Sequence, residues 1–422
     1  MTDIFTTGFA VVFLTIFAST AFLTIVFLVR QLTFSIFIHY TKQRSPYRQF
    51  DLNQWPSVTV LIPAHNEEKV IEGCLLAMSR LDYPSESLTV LVINDRSTDK
   101  TREIVEQWIP KNANLRLHNR PWDAKPGKPS AIKDVIDVLE TEVVVFFDAD
   151  YLPDPKVLKQ LVVPLVDPQI GATMGRVVPY NTNTNLLTKL IDLERRGGYV
   201  VDQQARNLLN LLPQFGGTLG AVRMDALRRV GGWREDLLAE DTDLTYRLFL
   251  SGWSVEYLNH AMCYEESPEE WPTRFKQVRR WAYGHNECFN KYFLPVLKSK
   301  RHTLLQRIDA AVVLLFYLFP SLSFVCLCAA FFYPVFYDYP PFNMTLIPAI
   351  SFMIGFGNLA PYFQILVALE KDRQPNAVKL LPLLFVTSTI SMLASMSALI
   401  LNIRHMVRGE QLIWDKTIRF RI

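Results

Sequence analysis

Asp148 and Asp150, one alanine apart, directly follow the apolar run Val143 to Phe147. Two carboxylates this close disfavour each other's charge unless a cation sits between or beside them. Mg2+ and Mn2+ are hard ions that prefer carboxylate and phosphate oxygens and are often held by only one or two protein ligands. The pattern therefore predicts metal ligation by Asp150, with Asp148 turned toward the metal or a nucleotide; a strand-end cap for the next helix is the plainer reading. A phosphatase nucleophile also fits an aspartate pair after a hydrophobic strand. That motif, however, stands near the start of its domain with Thr or Val after the second acid, whereas here Tyr151 follows.

Other polar residues extend the same chemistry. Asp95, in "NDRSTD", could accept a hydrogen bond from a base imide or a ribose hydroxyl, and His65, Asn66 and Glu67 of "PAHNEE" could frame that pocket. Lys128, in "KPGKPS", would meet diphosphate oxygens at the head of a helix whose dipole adds positive potential, or else be a solvated helix-start lysine. Asp241 in "AEDTDL" is the leading candidate for a general base, with Glu240 its neighbouring alternative and helix capping the structural one. "QVRRW" joins Gln277, Arg279, Arg280 and Trp281 within about one and a half helical turns. Arginine forks suit phosphate and an indole face suits a sugar ring, although a membrane-surface helix would use the same residues to snorkel and anchor.

These residues need a scaffold that brings them together. "VTVLI" (58–62), "LTVLVI" (88–93) and "VVVFF" (143–147) read as buried strands alternating with helices that begin near Asn66, Thr98, Lys128 and Pro155. Such alternation predicts a largely parallel α/β sheet covered by helices, with ligands in the crevice beyond the carboxyl ends of the strands. "PAHNEE", "NDRSTD" and "DADYL" each follow a strand, so all three face one crevice. The second half, from about residue 170, reads as a long helix over 181–212, a glycine-bearing turn "FGGTLGAVR" entering a short strand, and a loop leading into a helix at "AEDTDL".

Four stretches carry no Asp, Glu, Lys or Arg: Ile4 to Val29, Ala310 to Tyr337, Tyr339 to Leu369 and Leu380 to Ile403. Each exceeds the roughly 20 residues that cross hydrocarbon as a helix. Their distribution divides the chain into an N-terminal anchor with a basic juxtamembrane segment (1–50), a catalytic domain (51–268), amphipathic interfacial helices (269–309), and further spans with a basic tail (310–422). Arg30, Lys42, Arg44 and Arg48 follow the first stretch and place the inserted domain in the cytosol of a multi-pass plasma (inner) membrane protein. Three simple crossings after that domain would leave the basic tail outside, so one stretch is expected to be interfacial or broken, with Pro382 a break point.

Composition excludes other classes. A net charge of +3 is too mild for a nucleic-acid binder, and the 5 cysteines, scattered through the domain and one span, form no disulfide framework. His285 and Cys288 lack further ligands for zinc, and Gly355, Gly357 and Ala360 match a dinucleotide fingerprint inside an apolar stretch, where it has no strand to follow. Asn343, Met344 and Thr345 form a glycosylation sequon.

Taken in order, "NDRSTD", "DAD", "ED" and "QVRRW" resemble the inverting family-two glycosyltransferases, and within them the membrane-embedded synthases of cellulose, chitin, hyaluronan and poly-N-acetylglucosamine. The resemblance implies a Rossmann-like glycosyltransferase-A domain between transmembrane helices. It also implies a UDP-sugar donor, Mg2+ or Mn2+, and a processive hexosyltransferase whose polymer leaves through the bilayer, with or without an accessory membrane subunit. On this likeness Asp95 contacts uridine, Asp148 and Asp150 the nucleotide and metal, Lys128 the diphosphate, and Asp241 is the base. Gln277, Arg280 and Trp281 gather around diphosphate and acceptor, and "FGGT", with Gly217 and Thr218, lines the acceptor site. Many relatives carry two successive acids where this chain has Asn94 and Asp95. A β-linked N-acetylglucosamine or glucose polymer is the expected product. A lipid glycosyltransferase making one transfer is the alternative, and a membrane component that binds nucleotide or saccharide without turnover is the alternative of a different class.

Overall fold

The apolar strand runs build the centre of the structure, a computed structural model that describes residues 2–42, 47, 52–336 and 359–409. β1 (Val58–Ala64), β2 (Leu88–Asn94), β3 (Leu115–Asn119) and β4 (Val143–Phe146) lie parallel in the order β3-β2-β1-β4. Val58, Val60 and Ile62 of β1 enter one hydrophobic cluster and Leu61 the other; in β4, Val143 and Val145 divide from Val144 and Phe146 in the same way. Both faces are covered, so the sequence shows unbroken apolar runs instead of alternation. Ile71, Cys74, Leu75 and Met78 of α2 (Ile71–Met78) and Val105 of α3 (Thr101–Trp108) cover the first face. Ala131, Ile132, Val135 and Ile136 of α4 (Lys128–Ile136) cover the second.

Beyond β4 the sheet changes character. β5 (Leu152–Pro153), β6 (Ile170–Pro179), β7 (Gly220–Arg223) and β8 (Ser254–Glu265) complete an eight-stranded sheet of order β3-β2-β1-β4-β7-β6-β8-β5. β7 runs antiparallel to β4 and β6, and β5 antiparallel to β8. The sheet is therefore mixed, which corrects the largely parallel expectation. β6 and β8 pair in parallel through a register shift at Gly175, where a Cβ would lie 2.4 Å from the Ala261 carbonyl oxygen. α5 (Val157–Val162), α6 (Leu186–Arg196), α7 (Gln204–Leu208), α8 (Met224–Arg229) and α9 (Glu240–Ser251) surround this half. The long helix expected over 181–212 is α6, a π-helix (Gly197–Gln203) and α7 in succession. Helices expected near Asn66, Thr98 and Pro155 begin at Ile71, Thr101 and Val157, and the one at Lys128 begins there.

The apolar helices dock on this body through charge. α1 (Thr2–Tyr40) carries Arg30, whose guanidinium lies 2.5 Å from Asp202 in the π-helix and 2.6 Å from Asp309 in α11 (Leu304–Leu314). α12 (Leu318–Phe336) follows α11 at a 59° bend. The helix α13 (359–371) ends beside Asp372, which pairs with Arg196 at 2.5 Å and Arg176 at 2.9 Å. A 3-10 segment (Pro375–Leu383) containing Pro382 leads into α14 (Leu384–Arg408). Among the described residues two helices are long and apolar enough to cross a membrane, Leu14–Tyr40 and Pro375–Arg408, or three if the bent α11 and α12 pair counts as one. Most of the third apolar stretch, the sequon, Gly355, Gly357, Arg44, Arg48 and the tail from 410 lie outside the described residues.

α10 (Trp271–Lys298) is packed on two sides. Cys288, Tyr292 and Val296 join the cluster of β4, α4 and α9, while Ala282 and Tyr283 pack against Ala398 of α14. Asp243 of α9 anchors α10: fully buried, it accepts from Arg247 Nε at 2.6 Å, Lys291 Nζ at 2.9 Å and the Tyr292 hydroxyl. Burial opposes its charge, but Tyr292, Arg247 and Lys291 outweigh burial and lower its pKa. Asp243→Ala leaves the buried Arg247 cation uncompensated and should destabilise the detergent-solubilised chain by about 3–5 kcal/mol, read by denaturant unfolding.

Candidate active site

Residues after β1 and β2 close one end of the crevice. Asp95 is 4% exposed and accepts from Arg96 Nε at 2.9 Å, Arg120 Nη1 at 2.7 Å and the Gly127 N–H at 2.9 Å. Burial opposes its charge, but these donors outweigh it and lower the pKa. The His65 Nδ1 lies 2.6 Å from the Asp95 carbonyl oxygen; a carbonyl only accepts, so Nδ1 carries the proton and Nε2 is left as the acceptor. Asn66, at φ 54°, accepts from the Thr98 N–H at 2.7 Å, tying the two loops together. The Glu67 backbone N–H donates to Thr101 Oγ1 at 2.7 Å.

The acidic pair meets a cation at the mouth of β4. Lys128 Nζ lies 2.6 Å from Asp148 Oδ1 and 3.0 Å from the Gly217 carbonyl oxygen. Burial works against the ammonium, but Asp148, Glu240 and Asp241 outweigh it and raise its pKa. Asp150 is buried, and its Oδ2 accepts the Glu266 backbone N–H at 3.0 Å. Among the described residues no cluster of three or more metal-ligating side chains exists. The donor set suits Mg2+ or Mn2+ held by one or two carboxylates and completed by a ligand's phosphate oxygens.

The base candidates approach from the opposite wall. Gly217, at φ 69°, lets α9 come close: a Cβ there would lie 3.0 Å from Asp241 Cβ and 3.1 Å from its Oδ2. Asp241 Oδ1 accepts from the Thr242 N–H at 2.6 Å and the Thr242 hydroxyl at 3.3 Å. Burial raises the pKa of both acids, and Glu240, beside Asp241, is pushed up to about 7. Thr242 donates twice to Asp241 and so favours its charged form, which sets it apart from Glu240. Thr218 Oγ1 is buried with no hydrogen-bond partner among the described residues, so it can serve a ligand.

"QVRRW" lies on α10. Arg274 Nη1 donates to Gln277 Oε1 at 2.8 Å, and Arg274 also reaches Glu194 at 2.6 Å. Guanidinium carbons of Arg195 and Arg274 lie 5.5 and 5.4 Å from the Trp281 ring centroid, so cations meet the indole that was expected to stack on sugar. Arg279 and Arg280 are partly buried on the same turns.

Sequence reasoning passed over several residues that shape the site. Arg195 lies 2.5 Å from Glu265, whose other oxygen accepts from the Tyr151 hydroxyl at 3.2 Å, linking Trp281 to the segment after Asp150. Gly284 lets α10 touch the loop before α9, since a Cβ there would lie 2.6 Å from the Ala239 nitrogen. A glycine inside a strongly amphipathic helix was the signal available.

Residues 56–284, more than half of the chain, match the family model described as "Glycosyltransferase like family 2". The chain is 29% identical over 390 residues to the probable glycosyltransferase YdaM of Bacillus subtilis (strain 168), covering 91% of this chain and 92% of that protein. It is 31% identical over 264 residues to the probable glucomannan 4-beta-mannosyltransferase 10 of Arabidopsis thaliana, covering 60% of this chain and 47% of the plant protein. The chain thus spans about half the length of the plant relatives it matches. Among solved structures, the mannosyltransferase PcManGT from Pyrobaculum calidifontis in complex with GDP-Man and Mn2+ aligns with a TM-score of 0.60 at 20% identity, over 86% of this chain and 98% of that one. At that identity the likeness concerns the fold.

Proposed function

Because this chain belongs to glycosyltransferase-like family 2, we propose that it is a membrane-bound inverting transferase moving sugar from a UDP-sugar to a growing polysaccharide, processively and with export. The observation that carries this reading is the convergence on Gly217: its carbonyl receives Lys128, the partner of Asp148, and its α-carbon abuts Asp241. Donor acids, a diphosphate cation and a base share one glycine.

Asp148 and Asp150 would hold Mg2+ or Mn2+, which when bound supplies Lewis-acid stabilisation of the departing diphosphate. His65, Asn66, Glu67 and Asp95 form the nucleotide end, and Lys128 moves from Asp148 to the phosphate oxygens. Asp241 takes the proton from an acceptor hydroxyl, whose oxygen attacks the anomeric carbon as the bond to diphosphate breaks. Thr218, Gln277, Arg279, Arg280 and Trp281 border the acceptor side. The transfer inverts the anomeric centre in one displacement. In this reading the reaction takes place on the cytosolic face of a bilayer that holds the apolar helices, which Arg30 and Asp372 dock to the catalytic body.

The names of the plant relatives, glucomannan 4-beta-mannosyltransferases, support mannose as a second candidate for the transferred sugar, for which GDP-mannose is the donor to try. Membranes containing the full chain, given radiolabelled UDP-glucose, UDP-N-acetylglucosamine or GDP-mannose with Mg2+ or Mn2+, should incorporate label from a UDP-sugar into long product. Label from GDP-mannose alone would overturn the UDP reading, and products of one sugar on lipid would overturn processivity.

A further inference from the structure

Three residues from three parts of the chain, Gln203, Gln214 and Thr242, form a relay to one oxygen of Asp241. The Gln203 side chain grips the Gln214 backbone twice, donating to its carbonyl at 2.8 Å and accepting its N–H at 3.0 Å. That grip fixes Gln214 against the π-helix, an uncommon conformation that often marks functional positions. Gln214 Nε2 then donates to Thr242 Oγ1 at 2.9 Å. An amide NH2 only donates, so the Thr242 hydroxyl hydrogen is left for Asp241 Oδ1, 3.3 Å away. Oδ1 is thereby occupied by Thr242, and Oδ2 is the oxygen that lies against Gly217.

We propose that Gln214 is a positioning residue for the transfer reaction: through the Thr242 hydroxyl it sets the rotamer of Asp241 so that Oδ2, and not Oδ1, faces the acceptor. This rests on the assignment of Asp241 as base and adds to it a residue 27 positions away, held by the π-helix. The same π-helix presents Asp202 to Arg30 of α1, so the base is registered to the membrane helix through one continuous element.

A hydrogen bond donated to the charged form of a carboxyl lowers its pKa, so loss of the relay raises the pKa of Asp241. The titratable groups facing Asp241 are Glu240 on its own helix, Lys128 on α4, Asp148 behind Lys128, Tyr199 from the π-helix, Tyr317 from the junction of α11 and α12, and Cys288 from α10. None of these is altered by changing Gln214, whose backbone grip by Gln203 also survives substitution.

The test uses the full chain in membranes with whichever of UDP-glucose, UDP-N-acetylglucosamine and GDP-mannose it turns over. Gln214→Leu and Thr242→Val should each lower kcat on the order of 10- to 100-fold with donor KM unchanged. Both should move the acidic limb of the kcat profile upward by about 0.5 to 1 pH unit, and Thr242→Ser, which keeps the hydroxyl, should restore the parent profile. If Asp241→Asn abolishes turnover while Gln214→Leu leaves kcat or the acidic limb unmoved, the relay is overturned and the base assignment stands. If Asp241→Asn retains the parent rate of turnover, the base assignment falls first and takes the relay with it.

Discussion

Asp241→Asn lowers transfer by about 10²- to 10⁴-fold, the contribution of a positioned general base, while nucleotide binding stays close to that of the parent chain. The substitution is nearly isosteric. Its amide oxygen can still accept from the Thr242 N–H and hydroxyl, and Gly217 still has no Cβ to collide with it. What is lost is a group able to take the acceptor proton. In the parent chain Glu240 is not the base, because burial and the Asp241 charge push its pKa up to about 7. In the variant the neighbouring negative charge is gone, so the Glu240 pKa falls, and weak residual turnover should follow the ionisation of Glu240. The parent profile loses activity as pH falls, since the base must be unprotonated and burial raises the pKa of both acids. Single-turnover transfer together with equilibrium binding of UDP separates the two effects. Unimpaired transfer by Asp241→Asn would remove Asp241 from the base role.

The parts of this arrangement that could be read from sequence are those encoded locally. Val58 to Ile62 and Val143 to Phe147 announce strands because both faces are buried, and an acid just beyond a buried strand has few places to go but the crevice. Lys128 opens α4 at the residue where the helix was expected, after Gly127 at φ 113°. β6 and β8 escape a reading from sequence because their runs contain Gly171, Gly175, Arg176 and Glu256, whose partners lie far along the chain. Arg176 is paired with Asp372, 196 residues away, and Asn207 bonds Glu256 across 49. Without those partners a charged residue in a strand argues against the strand. The π-helix is invisible for a related reason: Gly197 permits an approach in which a Cβ would lie 2.9 Å from Ile365, and only α13 reveals why glycine stands there. Around the Trp281 indole, expected to meet a sugar ring, stand Arg195, held by Glu265, and Arg274, held by Glu194, partners that lie 70 or more residues away from them and that the local sequence does not announce.

Removing both acids of the 148–150 pair should have an effect of comparable size, through donor binding as well as chemistry. Asp148→Ala releases Lys128 from its partner at 2.6 Å, and Asp150→Ala leaves the Glu266 N–H without its acceptor at 3.0 Å. A divalent ion at such a pair contributes several kcal/mol of charge stabilisation, so transfer by the double variant falls on the order of 10³-fold. Asp150→Asn distinguishes ligation from folding: its amide oxygen can still accept from Glu266, but its charge is gone. With parent protein, Mn2+ should strengthen UDP binding measured by calorimetry; with Asp150→Asn, the UDP affinity measured without metal should persist while the Mn2+ enhancement disappears. If Asp150→Asn binds UDP with an undiminished Mn2+ enhancement, the ion is held elsewhere, and the acids serve to orient Lys128 and the segment around Glu266. If the parent shows no Mn2+ or Mg2+ enhancement at all, Lys128 carries the diphosphate charge alone, and Lys128→Met rather than the double variant should abolish donor binding.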